Sequence, residues 1–120
     1  MSLDVSLTIN YHVSYDNGKT LVEEEEEVFE ANITHNLTGM AREAGIYEAC
    51  WSPEELNARK AKDITPFLEK GYKKMKEDPA RFKKFDSPNG WGLYENFLPW
   101  VRNYLESCKD NPEANISVYK

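Results

Sequence analysis

The feature that most constrains the fold is a strict alternation of apolar and polar residues near the N-terminus. Every second residue from position 5 to position 15 is apolar, and the residues between them are Ser6, Thr8, Asn10, His12 and Ser14. This period of two is typical of a β-strand with one buried face. Asn17-Gly18 follows, and this dipeptide indicates a hairpin turn because both residues tolerate positive φ. The sequence therefore predicts an N-terminal β-hairpin.

A two-residue loop at this turn predicts a register in which Leu7 faces Val28. The same register places Glu24 and Glu26 on the apolar face, where burying a carboxylate is costly. We therefore expect the glutamate run at positions 23–27 to form a solvated sheet edge. Charges at such an edge also discourage pairing with other chains.

Helical periodicity dominates the middle of the chain. The first predicted helix runs from Thr34 to Gly45, and a short second one is opened by the capping box at Ser52-Pro53. A third is capped by Asp63 or Thr65, and a helical turn starts at Asp78-Pro79. The last and longest covers about residues 91–109, and Pro99 should kink it.

A final short strand is predicted from the alternation of Ala114, Ile116 and Val118 with polar residues. If the glutamate-rich strand is an edge, this last strand pairs with the first and the sheet order is 2-1-3. Three to four helices would then cover one face of a three-stranded sheet, in a single α+β domain over residues 1–120. The opposite, polar face would meet solvent or a partner, and a homodimer through it is an alternative.

The charge balance bears on the partners of the protein. With 15 basic and 21 acidic residues the formal net charge is −6. Proteins that contact phosphates usually carry a basic face, so nucleic acid and anionic membranes are disfavoured as partners. The chain has neither a bilayer-length apolar stretch nor the features of a signal peptide, so we expect a cytoplasmic location. Cys50 and Cys108 are expected to be buried, reduced thiols.

Two polar segments interrupt these structural patterns. The first, residues 32–36, lies where the second strand passes into the first helix, and a helix N-terminus attracts anions. It contains His35, which can transfer protons near neutral pH. The second, residues 89–95, places Trp91 between two glycines that let the backbone approach a ligand closely.

We predict a non-catalytic binding protein whose ligand, a small molecule or a protein, lies between these two segments. The predicted ligand-binding residues are Asn32, Thr34, His35, Asn36, Trp91 and Tyr94. Purely structural roles are the alternative: Thr34 or Asn32 caps the helix, His35 bonds a backbone carbonyl, and Trp91 covers the core. Trp51, which precedes the capping box, is expected to be a hydrophobic staple.

Two other functional classes stay open. One is a small hydrolase or transferase in which His35 is the general base and Glu43 or Glu95 assists. The other is an acidic interaction protein that binds a partner through the run from Glu23 to Glu27, in a salt-dependent manner. No phosphate-binding, dinucleotide-binding, nucleophile or zinc motif is present, so we predict no cofactor, metal or catalytic residue.

Several segments resemble a family of small proteins from bacteria and their phages. They are residues 32–37, 40–49, 51–56, 82–85 and 89–95, and the resemblance extends over about residues 28–112. That family has no established activity, substrate or catalytic residue, so the resemblance assigns no site. It implies an intracellular setting and a phage or prophage origin.

Overall fold

Three antiparallel strands form the sheet in the computed structural model, which describes residues 2–120. β1 (Ser2–Ser14) and β2 (Leu21–Thr34) form the predicted hairpin, and β3 (Asn115–Tyr119) pairs with the other side of β1. The order is β2-β1-β3. The predicted sheet order and the edge position of the glutamate-rich strand are therefore confirmed.

The segment between β2 and β3 is helical. It contains α1 (Thr38–Ala44), α2 (Tyr47–Trp51), α3 (Ala61–Glu77), α4 (Pro79–Lys83) and α5 (Tyr94–Asp110), with 3-10 turns at His35–Leu37 and Pro53–Leu56. The α+β class is confirmed. None of the helices in the described part of the chain combines the length and the apolar composition that a bilayer span requires.

The first helical segment begins and ends where the sequence predicts. The hydroxyl of Thr34 accepts the Asn36 backbone N–H at 3.3 Å and caps the 3-10 turn that leads into α1. Gly45 ends α1 with a φ of 78°, a conformation that glycine adopts without strain. Both signals are local, which explains why a short stretch of sequence is sufficient to predict them.

Two other helix starts differ from prediction. The Ser52 hydroxyl does not cap the turn that follows it; this serine is buried, and its hydroxyl accepts a hydrogen bond from the Lys120 amine at 3.3 Å. α3 begins two residues before Asp63, whose carboxylate accepts the backbone N–H groups of Lys60 and Arg59 at 3.0 and 3.1 Å. These hydrogen bonds hold the pKa of Asp63 below its usual value. α2 was not predicted at all.

The last helix also starts later than predicted. Gly90 and Gly92 have φ values of 80° and 112°, which are incompatible with a helix, so α5 begins at Tyr94. It runs unbroken through Pro99 to Asp110.

A β-bulge at Val28 changes the predicted register of the hairpin. Thr8 pairs with Glu27 but Leu7 pairs with Phe29, so Val28 is an extra residue in β2. The bulge reverses the alternation of β2. As a result Phe29, Ala31 and Ile33 share the apolar face of β1. Glu30 and Asn32 lie on the opposite face.

The core lies where β3 and the helices cover the first part of the hairpin. Leu3, Val5 and Leu7 are fully buried there, in one cluster with residues from all five α-helices. β3 pairs with β1 only as far as Thr8. Cys50 and Cys108 are free thiols in this core, and burial raises the pKa of both, that of Cys108 to about 12.

The rest of the hairpin, residues 9–27, projects from this body as two strands and their connecting turn; we call it the arm. It gives the molecule a length of 59 Å against 26 and 23 Å in the other directions. Tyr11 and Tyr15 are 42% and 74% exposed in the arm. The prediction that the apolar face is buried along the whole first strand is therefore wrong beyond about Ile9, because no helix or third strand covers it there.

Candidate functional site

A cleft of about 920 Å³ lies where the end of β2 meets the loop that precedes α5. Its lining comes from residues 32–37 on one side, residues 89–93 on the other, and the side chains of Ser2 and Asn96. The two polar segments that the sequence singles out are thus neighbours in space.

The structure brings five of the six predicted ligand-binding residues to this cleft: Asn32, Thr34, His35, Asn36 and Trp91. It does not bring Tyr94, which opens α5 with its side chain turned into the body. The hydroxyl of Tyr94 donates to the Met75 carbonyl at 2.6 Å, and burial, followed by the nearby Tyr72, raises its pKa. The binding role of the other five residues stays a prediction.

His35 is oriented by a buried tryptophan. The indole N–H of Trp51 donates to Nδ1 of His35 at 2.9 Å. A neutral imidazole carries one proton, so this bond places the His35 proton on Nε2. Trp51 itself is fully buried and stacks on Tyr47 with ring centres 5.7 Å apart. The alternative in which His35 bonds a backbone carbonyl is therefore wrong. Trp51, which was expected only as a hydrophobic staple, also orients His35.

A close backbone contact holds the two sides of the cleft together. The side-chain amide of Asn36 donates to the Trp91 carbonyl at 2.8 Å. A Cβ atom added at Gly92 would lie 2.9 Å from Cβ of Asn36, closer than carbon atoms ordinarily approach, so this position requires glycine.

The loop that carries Trp91 is also held from within. The side-chain oxygen of Asn89 accepts the Trp91 backbone N–H at 2.9 Å and the Ser87 hydroxyl at 2.6 Å. The Trp91 side chain is nevertheless 70% exposed. The alternative in which this indole covers the core is therefore wrong.

The internal hydrogen bonds of the cleft leave a mixed set of donors and acceptors. The side-chain NH₂ group of Asn32 donates to the Asp4 carboxylate at 2.6 Å, and that of Asn36 donates to the Trp91 carbonyl. The side-chain oxygens of both asparagines therefore remain free as acceptors. Asn89 keeps its NH₂ group and His35 its Nε2–H as donors. Within residues 2–120 no side-chain hydrogen bond engages Asn96.

The lining carries no charge in the part of the chain that the structure describes, since neither Asp, Glu, Lys nor Arg contributes to it. Of the two carboxylates suggested as assistants to His35, Glu43 lies outside the cleft and pairs with Arg81 at 2.7 Å. Glu95 is not part of the lining either. Across residues 2–120, no three His, Cys, Asp or Glu side chains are grouped as metal ligands would be.

Sequence patterns missed three residues of this site. Trp51 is 16 residues from His35, and no local spacing connects them. Ser2 reaches the cleft because β1 lies beside the end of β2, where it pairs with Thr34. Asn96 directly follows residues 89–95, and an exposed amide in the first turn of a helix gives no signal of its own.

Comparison with known proteins finds no matching family model, no similar curated protein and no similar solved structure.

Proposed function

We propose that the protein binds an uncharged small molecule in the cleft and does not transform it. The observation that carries this proposal is an exposed tryptophan beside amide and imidazole groups that retain free hydrogen-bonding capacity. The volume of about 920 Å³ falls in the range of roughly 300–1,000 Å³ that is typical of ligand sites.

The lining favours a neutral ligand. A charged ligand taken from water would need an opposite charge or several strong hydrogen bonds in the site, and no lining side chain supplies that charge. An anion at the start of the first helix, suggested by the sequence alone, is less well supported because the cleft contains neither lysine nor arginine.

The same groups favour a ring-bearing ligand with hydroxyl or amide groups. Such groups donate and accept at once, which matches the free oxygens of Asn32 and Asn36 and the free N–H groups of Asn89 and His35. The indole of Trp91 offers a flat surface on which the face of a sugar ring or a nucleobase can stack. Saccharides and nucleosides are therefore the classes to test first.

A thermal-shift panel of methyl pyranosides and nucleosides, followed by titration of tryptophan fluorescence, tests this proposal. We expect at least one class to raise the melting temperature of the wild-type protein. Trp91→Ala should lower the affinity for that ligand at least about fivefold, because stacking on an aromatic ring contributes roughly 1–3 kcal/mol.

Phe85→Ala is the matched control, since Phe85 is also an exposed aromatic residue, at 40%, but lies outside the cleft. It should bind like the wild type. Failure of every compound in the panel would contradict the proposed ligand class. Equal binding by wild type and Trp91→Ala would contradict the proposed site.

One observation favours the acidic interaction protein as a second candidate. Residues 9–30 contain seven acidic residues against one lysine, an excess equal to the whole net charge of −6. Binding of a cationic partner by this segment should weaken as salt rises from about 50 to 500 mM. Binding in the uncharged cleft should not. The phage origin and the cytoplasmic location stay predictions.

A further inference from the structure

The two outer edges of the arm are protected very differently. The free edge of β2 carries glutamate at every position from 23 to 27. The free edge of β1 over residues 9–14 carries neither a charged residue nor a proline. β3 ends its pairing at Thr8, and within residues 2–120 no strand replaces it beyond that point. An unprotected edge of this kind presents unpaired N–H and C=O groups to any other strand.

The arm also exposes apolar side chains that a neighbouring strand would cover. Tyr11 is 42% exposed on the face that is apolar throughout β1, next to the open edge of that strand. A hairpin of two strands is marginally stable in water when nothing packs on it. A third strand beside β1 would add backbone hydrogen bonds and cover part of this surface.

We propose that this third strand is β1 of a second copy, and that the two arms pair antiparallel in a two-fold symmetric dimer. The resulting sheet in the arms has the order β2-β1-β1-β2. Its two outer edges are both glutamate-rich β2 strands, so the assembly closes and offers no edge to a third copy.

The length and the face of the strand fit this arrangement. β3 occupies the position beside residues 4–8, so the open part of β1 is residues 9–14, and a second copy brings a segment of the same length. Paired residues in a sheet share a face. With His12 on the two-fold axis, residues 10–14 of the two copies pair and Tyr11 of each copy faces Val13 of the other, a favourable pairing of an aromatic with a β-branched residue.

The proposal differs from a dimer through the polar face of the sheet, because it places the contact at an edge. It is also independent of ligand binding, since the cleft lies at the opposite end of the hairpin, where Ser2 meets Thr34. A monomeric variant should therefore bind ligand as the wild type does.

The test is the molar mass in solution, measured by light scattering and sedimentation over a range of concentrations. We expect the wild-type protein to form a dimer. The double variant Asn10→Glu/His12→Glu adds two charges to the free edge of β1, where both residues are exposed. Like charges facing each other across strands disfavour pairing, so the dissociation constant should rise at least about tenfold.

Lys19→Glu is the matched control, because it changes the net charge by the same amount at the turn of the arm and leaves the edge unchanged. It should remain dimeric. A wild-type protein that stays monomeric up to about 100 µM, a concentration at which dimers of micromolar affinity form, would overturn the proposal. So would a dimer that survives in the double variant, or equal dissociation in both variants.

Discussion

The base and the arm of the hairpin share one sequence pattern but differ in burial. In the base, Val5 and Leu7 have β2 and β3 as neighbours and helices above them, and their side chains are fully buried. In the arm the same alternation continues, yet Tyr11 is 42% exposed because only β2 accompanies β1 there. The comparison shows that periodicity indicates which side chains share a face, whereas the covering elements determine whether that face is buried.

The largest expected difference between the two regions is in amide hydrogen exchange. Amides of β1 in the base should exchange only through global unfolding, whereas those of the arm should exchange through local opening. We expect protection factors to differ by roughly 1,000-fold or more, given a typical global stability of at least about 5 kcal/mol.

NMR-detected exchange on Asn10→Glu/His12→Glu measures this difference without protection from self-association. Comparable protection at Val5 and Val13 would show that the arm is part of the cooperative unit, and would break the comparison.

Substitution of matched valines gives the next largest effect. Val5 is 1% exposed in the base, whereas Val13 is only half-buried in the arm. Val5→Ala should lower the free energy of unfolding by about 2–3 kcal/mol, through lost burial and the cavity that remains. Val13→Ala should lower it by less than about 0.5 kcal/mol. Urea unfolding at a concentration where the chain is monomeric measures both, and equal losses would contradict the distinction.

Two glycines with positive φ provide the smallest contrast. Gly92 (φ 112°) lies against Asn36 in the body, whereas Gly18 (φ 88°) lies in the turn of the arm with open space where a Cβ would be. Gly92→Ala should cost about 1–2 kcal/mol of global stability, from backbone strain and the close contact. Gly18→Ala strains an arm that we expect to open locally, so it should change global stability by less than about 0.5 kcal/mol.

Thermal or urea unfolding of the two alanine variants sharpens the comparison further. If Gly18→Ala proves as destabilising as Gly92→Ala, the arm does not unfold separately from the body.

Local signals explain most of the fold that could be predicted. The alternation of β1, the Asn17-Gly18 turn and the helix stop at Gly45 depend on a few consecutive residues, and each is found where it was expected. The bulge at Val28 was not predicted, although the alternation of apolar and polar residues changes phase there, with Phe29, Ala31 and Ile33 apolar. What gave no local signal is the core that distant helices complete, against which Phe29 packs. The stacking of Phe29 on Tyr104 of α5 is part of that core.

In the candidate site, too, the features with a local signal were predicted and those that depend on long-range packing were not. Its two segments stood out because they are polar interruptions of regular patterns, and the fold places them side by side. The partner of His35 did not stand out, since only the packing of α2 brings Trp51 within 2.9 Å of it. Tyr94 was misassigned because it was grouped with the polar segment 89–95, whereas it is the first residue of α5 and its side chain is buried in the body.

The single extra residue at Val28 divides β2 into two parts: even-numbered residues share the apolar face of β1 before the bulge, and odd-numbered residues share it after the bulge. Inserting or removing residue pairs opposite one another in the arm would leave Phe29 and the strand beyond it in step with the body. Deleting Val28 alone would remove the bulge and leave a regular ladder in which Phe29 still pairs with Leu7. The arm can therefore be shortened, lengthened or exchanged by matched changes in its two strands, provided that Leu7 still pairs with Phe29.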